Sequence, residues 1–351
     1  MLESFGLDIS PRVASLWVGL LVGLAFGLLA EASRFCLRRA LVGPLAERRG
    51  AGAMWLIALA TAMAGTQAAQ FAGLFDLSDH RFLSDDVPAL AIVLGGLMFG
   101  VGMVLARGCA ARLTVLAATG NLRAATVVLL IAVTALITLK GLLAPLASTL
   151  ASITLPLPHL TALPLATFVL PLALAAVALA ARPGWRALAF GIAIGALVPL
   201  TWTATGWLLL DDFDPIPVDS LSFIGPVADT LFWSVAATAI APALGVGLVL
   251  GTLAGALISA LIGRRAAWQS FTSPRETGRY VLGGALMGVG GVLAGGCTIG
   301  AGLSGVATLS SAAALALIAI MLGAKLTDRL LSASSAGSAG SSATPAAQPA
   351  E

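Results

Sequence analysis

The stretch "GGALMGVGGVLAGGC" (residues 283–297) matches the earlier stretch "GGLMFGVGMVLARGC" (residues 95–109) without a gap, at 10 of 15 positions. Both are apolar, both leave several faces of a helix bare with glycine, and both end on Gly-Cys. Glycine placed this way lets membrane helices approach backbone to backbone. After each stripe a helix break is expected, at Gly108-Cys109 and at Gly295-Gly296-Cys297. Irregular backbone at membrane depth is tolerated only where it lines a cavity. A fainter pairing joins "GLAFGLLAEASRFC" (23–36) to "GIAIGALVPLTWTA" (191–204), with Ala204 standing where the first copy has Cys36. The duplicated unit is therefore four spans, with residues 163–181 as the joining span.

Composition sets the class. The 351 residues are 59% hydrophobic and 10% charged, with a mean hydropathy of +1.01. Soluble domains carry about 25% charged residues, so an all-α integral membrane protein in a lipid bilayer is expected. The basic pI of about 9.1 does not indicate nucleic acid, because the net charge is only +3 and no basic cluster occurs. Three widely spaced cysteines without a C-x-x-C make neither a disulfide framework nor a zinc or redox motif. No metal or cofactor is expected. Glu3, Asp8 and Arg12 near the start, with no A-x-A-like site after them, argue against a signal peptide.

Apolar runs long enough to cross fall near 14–30, 51–75, 88–106, 122–149, 163–181, 186–203, 231–262, 279–295 and 312–330. About nine transmembrane helices follow, with short re-entrant helices after the two Gly-Cys breaks, one of them over 298–311. The seventh run contains Pro242 and is expected to tilt or kink. The organisation expected is a first half over 1–150, a linker with the joining helix over 151–185, and a second half over 186–330. A disordered cytoplasmic tail over 331–351 completes it. Sixteen of the 19 lysines and arginines fall in connections on one side, Arg12 and Arg81 fall on the other, and Lys140 lies within a run. This segregation puts the N-terminus outside and the C-terminus in the cytoplasm. The outer loops "FDLSDHRFLSDD" and "DDFDPIPVDS" are acidic and are expected to serve packing or topology. Five crossings separate span 1 from span 6, so the second unit lies inverted, and the site of an inverted-repeat transporter lies near the midplane. Cys109 then enters from the cytoplasmic side and Cys297 from outside, and the two thiols are expected to approach each other. Cys36 is expected beside the cytoplasmic end.

The candidate substrate-binding residues are Cys36, Cys109, Cys297, Gly108, Gly296, Thr298, Arg107 and Lys140. Each has a bland alternative. A free cysteine packs as a small hydrophobe, Arg107 serves as a topology charge, Lys140 snorkels to a headgroup, and Thr298 or Ser304 back-bonds to its own helix. His80 and His159 fall in outer loops away from every cysteine, so neither a Cys–His nucleophile nor any other catalytic role is read. The spans hold no carboxylate away from their ends, which favours facilitated or channel-like passage over ion coupling.

Three stretches carry a family resemblance: "GGCTIGAGLSGVATL" (295–309), "TGNLRAATVVLLIAVTALITLKGLLAP" (119–145) and "TGWLLLDDFDPIPVDSLSFIGPVADTL" (205–231). They resemble the YeeE/YedE sulfur transporters, and the resemblance runs to about residue 325. It implies uptake of thiosulfate or a related small sulfur anion across the bacterial inner membrane, through an hourglass-shaped inverted repeat. It also implies a path marked by three cysteines, here Cys36, Cys109 and Cys297, and a cytoplasmic sulfur-carrier protein as receiver. "CLRRALVG" is more basic than the family pattern after the first cysteine, and "GCAARLT" lacks its usual polar residue after the second. Sulfite, sulfide or a selenium compound stays open as substrate, and a membrane sulfurtransferase is the more distant alternative. The expected mechanism is a relay from Cys297 to Cys109 to Cys36. A neutral thiol is a weak donor, suited to the soft sulfur of thiosulfate, and passage requires several weak sites in series.

Overall fold

The computed structural model describes residues 10–77, 80–84, 86–158, 165–211 and 215–340. Glu3, Asp8, Asp79, Asp85, His159, Asp212, Asp214 and residues 341–351 lie outside them. The chain is almost wholly helical. In order come α1 (Pro11–Ser33), α2 (Leu37–Val42), α3 (Leu45–Phe71), α4 (Ala89–Leu105), α5 (Ala110–Ala118), α6 (Leu122–Lys140) and α7 (Ala144–Ala151). There follow α8 (Ala166–Ala180), α9 (Trp185–Thr203), α10 (Ile224–Val235), α11 (Leu244–Ile262), α12 (Pro274–Leu293) and α13 (Ser311–Gly340). A π-helical turn, Ala204–Leu208, extends α9, and a second, Gly300–Gly305, precedes α13. The strands β1 (Asp86–Val87) and β2 (Leu155–Pro156) pair antiparallel, Val87 opposite Leu155.

Local sequence explains the boundaries. Ser10 caps α1 by accepting from Val13 N, with Pro11 at the first helical position, where its missing N–H costs nothing. Asn121 Oδ1 accepts from Ala124 N at 3.0 Å to open α6. Ser273 Oγ accepts from Glu276 N at 3.3 Å to open α12, while Glu276 reaches back to Thr272 N. The expected run 122–149 is two helices, because α6 stops at Gly141. The expected run 231–262 is also two, α10 and α11, with irregular chain over 236–243 between them. Pro242, which lacks an N–H and clashes with the turn before it, falls in this irregular stretch and keeps helix from running through it. α13 continues to Gly340, ten residues into the stretch expected to be without structure.

Among the described residues, six stretches are both long and apolar enough to cross a membrane: Pro11–Val42, Leu45–Phe71, Ala89–Ala118, Leu122–Lys140, Trp185–Leu208 and Leu244–Ile262. The joining helix is shorter. α12 begins with Arg275, Glu276 and Arg279, which dilute its apolar length.

The packing is reciprocal. α1 lies on α11, α3 on α9, α4 on both α12 and α13, and α6 on α12. Exchanging α1 with α9, α3 with α11, α4 with α12 and α6 with α13 returns the same set of pairings. Glycine makes the central contact. A Cβ on Gly95 would stand 2.6 Å from Gly290 O, and one on Gly290 would stand 2.6 Å from Gly95 O. Gly102 and Gly283 meet in the same mutual way further along, so α4 and α12 run antiparallel with their backbones touching.

Candidate functional site

One backbone device precedes every cysteine. α1 ends at Arg34 (φ 55°), α4 ends into Arg107 (φ 57°), and α12 ends into Gly295 (φ 72°), all left-handed. The next amide donates five residues back: Phe35 N to Ala30 O at 3.2 Å, Gly108 N to Met103 O at 3.1 Å, and Gly296 N to Gly291 O at 2.9 Å. This is the Schellman termination, which satisfies the carbonyls that a helix end leaves orphaned. A left-handed conformation costs a non-glycine residue about 1 kcal/mol, and here arginine bears that cost twice. The cysteine then stands two residues after the left-handed one each time.

The new helical turn starts at that cysteine. Cys36 caps α2 and Cys109 caps α5, both with extended backbone. The amide three residues on faces the sulfur: Arg39 N–H at Cys36 and Arg112 N–H at Cys109, neither closing a cap hydrogen bond. At Cys297 the contact closes, with Gly300 N donating to Sγ at 3.3 Å. Ile299 and Phe223 N–H groups also face this sulfur. Gly296 is required at its place, since a Cβ there would stand 2.7 Å from Ala301 N. Gly108 is buried, and a Cβ on it would stand 3.0 Å from Leu113 Cδ2.

Cys36 and Cys109 lie against each other, and Thr298, the residue after Cys297, stands beside Cys109. Thr298 is 1% exposed, and its buried hydroxyl faces the Cys109 thiol. Cys109 and Cys297 are fully buried and Cys36 partly so. Thr298 therefore links the Cys297 turn to the Cys109–Cys36 pair. Ser304 does not join it, because its Oγ donates to Leu221 O at 2.8 Å.

Two predicted residues are not brought to the thiols. Arg107 is exposed and occupies the left-handed turn position. Lys140 is half exposed, 4.0 Å from Asp229 Oδ1 and 4.4 Å from the centre of the Phe232 ring. It lines a cavity of about 860 Å³ whose wall also holds Arg12, Arg81, Asp76, Asp219 and Asp229, and which reaches Gly295 and Gly296. Those three cations are the ones the side-to-side segregation set apart in the sequence. The two acidic loops thus contribute to a mixed-charge vestibule whose floor is the turn before Cys297.

His80 closes one side of this vestibule. Its ring stands edge-on to buried Trp202 with centroids 5.1 Å apart, and its Nδ1 accepts from Phe82 N at 3.2 Å. Burial, with a smaller contribution from the Arg81 charge, lowers its pKa from 6.5 to about 4. The unfolded loop therefore binds more protons than the folded one, and the stability held above pH 6.5 is lost progressively as pH falls toward 4. Protease cleavage of loop 72–88 is expected to rise over that window. His80→Phe is expected to flatten the pH dependence; an unchanged acid profile in that variant would assign the transition to another group.

Arg112, Glu31 and Arg265 are site-adjacent residues that sequence reading passed over. The signal available for Arg112 was its position three residues after Cys109, on the same face of α5. No curated protein sequence matches the chain. A family model described as "Sulphur transport" matches residues 32–326, from just before Cys36 to beyond the Cys297 turn. With that match covering most of its length and all three cysteine turns, the chain belongs to the sulphur transport family.

Proposed function

We propose that the protein takes up thiosulfate, or a closely related small sulfur anion, across the bacterial inner membrane along the line Cys297, Thr298, Cys109, Cys36. Nine helices cross, in two inverted halves, with the N-terminus periplasmic and the C-terminus cytoplasmic. The reciprocal helix pairing and the antiparallel glycine contact of α4 with α12 support the inverted repeat. The observation that carries the reading is the placement of the buried Thr298 hydroxyl beside Cys109, one residue beyond Cys297.

The chemistry follows from magnitudes. Moving an unpaired ion into an apolar interior costs tens of kcal/mol in the Born limit. Thiol donors alone are too weak to offset that. Each cysteine, however, stands at the start of a helical turn whose first N–H groups face the sulfur. A full helix carries about half a positive charge at that end, and short turns carry less, so the anion is held weakly at each stage. Weak sites in series permit release. The vestibule, with its three cations and three carboxylates, is close to neutral and collects the anion without trapping it. A cytoplasmic sulfur-carrier protein would take up what leaves past Cys36.

Uptake of labelled thiosulfate into proteoliposomes tests the reading. Saturable uptake that persists under a large excess of sulfate is expected. Absence of thiosulfate uptake, with uptake of sulfite, sulfide or a selenium species instead, would replace the substrate.

A further inference from the structure

One cation at the inner thiols has no role in the relay as described. Arg112 sits in the first turn of α5, half-buried, and its backbone N–H faces Cys109. Its side chain reaches α1, where Nη1 donates to Ala30 O at 3.1 Å. That same oxygen accepts from Phe35 N at 3.2 Å, the amide immediately before Cys36. The guanidinium therefore stands at the turn that carries one inner thiol, on a helix that begins at the other. Both thiols lie within its electrostatic reach.

The carboxylate within reach of Arg112 is already engaged. Glu31 Oε1 accepts from Arg265 Nε at 2.9 Å, and Oε2 accepts from Arg265 Nη2 and from Ser259 Oγ, both at 2.6 Å. No ion pair reaches Arg112 among the described residues, and only one of its N–H donors is hydrogen-bonded there. A guanidinium presents five donors in a fixed fork, so most of this fork is open. With Glu31 already held by Arg265 and Ser259, the rest of the fork is free to take an oxyanion beside the two thiols.

We propose that Arg112 recognises the oxygen end of the substrate at the inner site while Cys36 and Cys109 face its sulfur, making this arginine the residue that selects for an anion; the inference rests on the transport reading above. The alternative role is a clasp that holds α5 to the end of α1. Lysine in place of Arg112 would keep the charge and can still reach a carbonyl, whereas glutamine keeps only hydrogen bonding.

Two measurements separate these roles. The first uses variants with Cys36 as sole cysteine (Cys109→Ser with Cys297→Ser) in inside-out vesicles. Its labelling rate is compared for an anionic sulfonatoethyl and a cationic trimethylammonioethyl methanethiosulfonate. Adding Arg112→Gln is expected to lower the anionic-to-cationic rate ratio about tenfold, and Arg112→Lys to hold it within about twofold. The second is thiosulfate uptake by otherwise intact chains, where Arg112→Gln is expected to raise apparent KM about tenfold with little change in melting temperature. An unchanged labelling ratio overturns the proposal, even if intact protein transports thiosulfate. So does an equal loss of thermal stability in both variants at constant ratio, which is the clasp. A falling ratio without thiosulfate uptake by the intact chain keeps Arg112 as an anion-attracting residue and overturns the transport reading instead.

Discussion

Cys297→Ala is expected to lower thiosulfate uptake in proteoliposomes about a hundredfold or more, which is about 2.7 kcal/mol on the limiting barrier. Cys297 is 0% exposed and stands between the vestibule floor, Gly295 and Gly296, and the next polar group inward, Thr298. The amides of Phe223, Ile299 and Gly300 all face its sulfur. Alanine removes that atom and leaves the amides aimed at an apolar methyl, so the first stage of the relay disappears. The fold should survive. A single heavy atom lost from a packed site costs about 1 kcal/mol, and the Schellman turn before it uses backbone alone. Cys297→Ser separates softness from hydrogen bonding, since a hydroxyl donates more strongly but is a poor match for sulfur. Serine is expected to fall between cysteine and alanine. Uptake in Cys297→Ala equal to that of the intact protein, at equal protein density, would return this thiol to packing.

Much of this site was legible in the sequence because it depends on backbone breaks, and glycine and cysteine advertise those. The helix ends at Gly108-Cys109 and Gly295-Gly296-Cys297 stand where the repeat placed them. Thr298 was legible because it follows the break directly. The division at Pro242 was underestimated: an apolar run reads as continuous even when proline splits it into α10 and α11. The device at Cys36 was less visible, because Arg34 adopts there the left-handed conformation that glycine normally provides. Arg107 misled for the same reason. Two residues from a cysteine is close along the chain, but the left-handed turn leaves its side chain exposed. Arg112 went unnoticed because its importance depends on long-range geometry, a bond to Ala30 O across 82 positions and the prior commitment of Glu31 to Arg265. Lys140, a charge within an apolar run, stands where Gly141 ends α6 and lines the vestibule.

Gly27→Val and Gly195→Val are each expected to cost about 3 kcal/mol or more, at the upper end of overpacking. These glycines occupy equivalent places in the faint repeat, Gly27 in α1 and Gly195 in α9. A Cβ on Gly27 would collide with Thr252 O and stand 2.8 Å from Ala256 N of α11. One on Gly195 would collide with Ala58 O of α3 and stand 2.9 Å from Thr61 Cβ. In both cases the obstacle is backbone, which no rotamer change can move, so the two helices must separate along their length. Separation also loses the close dispersion contacts that hold helices together in lipid, where no hydrophobic driving force replaces them. Gly50→Val is the control, because a Cβ there meets nothing within 4 Å. Melting of the detergent-solubilised protein checks the set: both seam variants should fall well below Gly50→Val, and by similar amounts. Equal losses would mean that the same backbone contact holds α1 to α11 and α9 to α3, as two copies of one unit require. Tolerance of valine at one position but not the other would mean that only one seam is tight, and the two halves would then not be packed by a shared device.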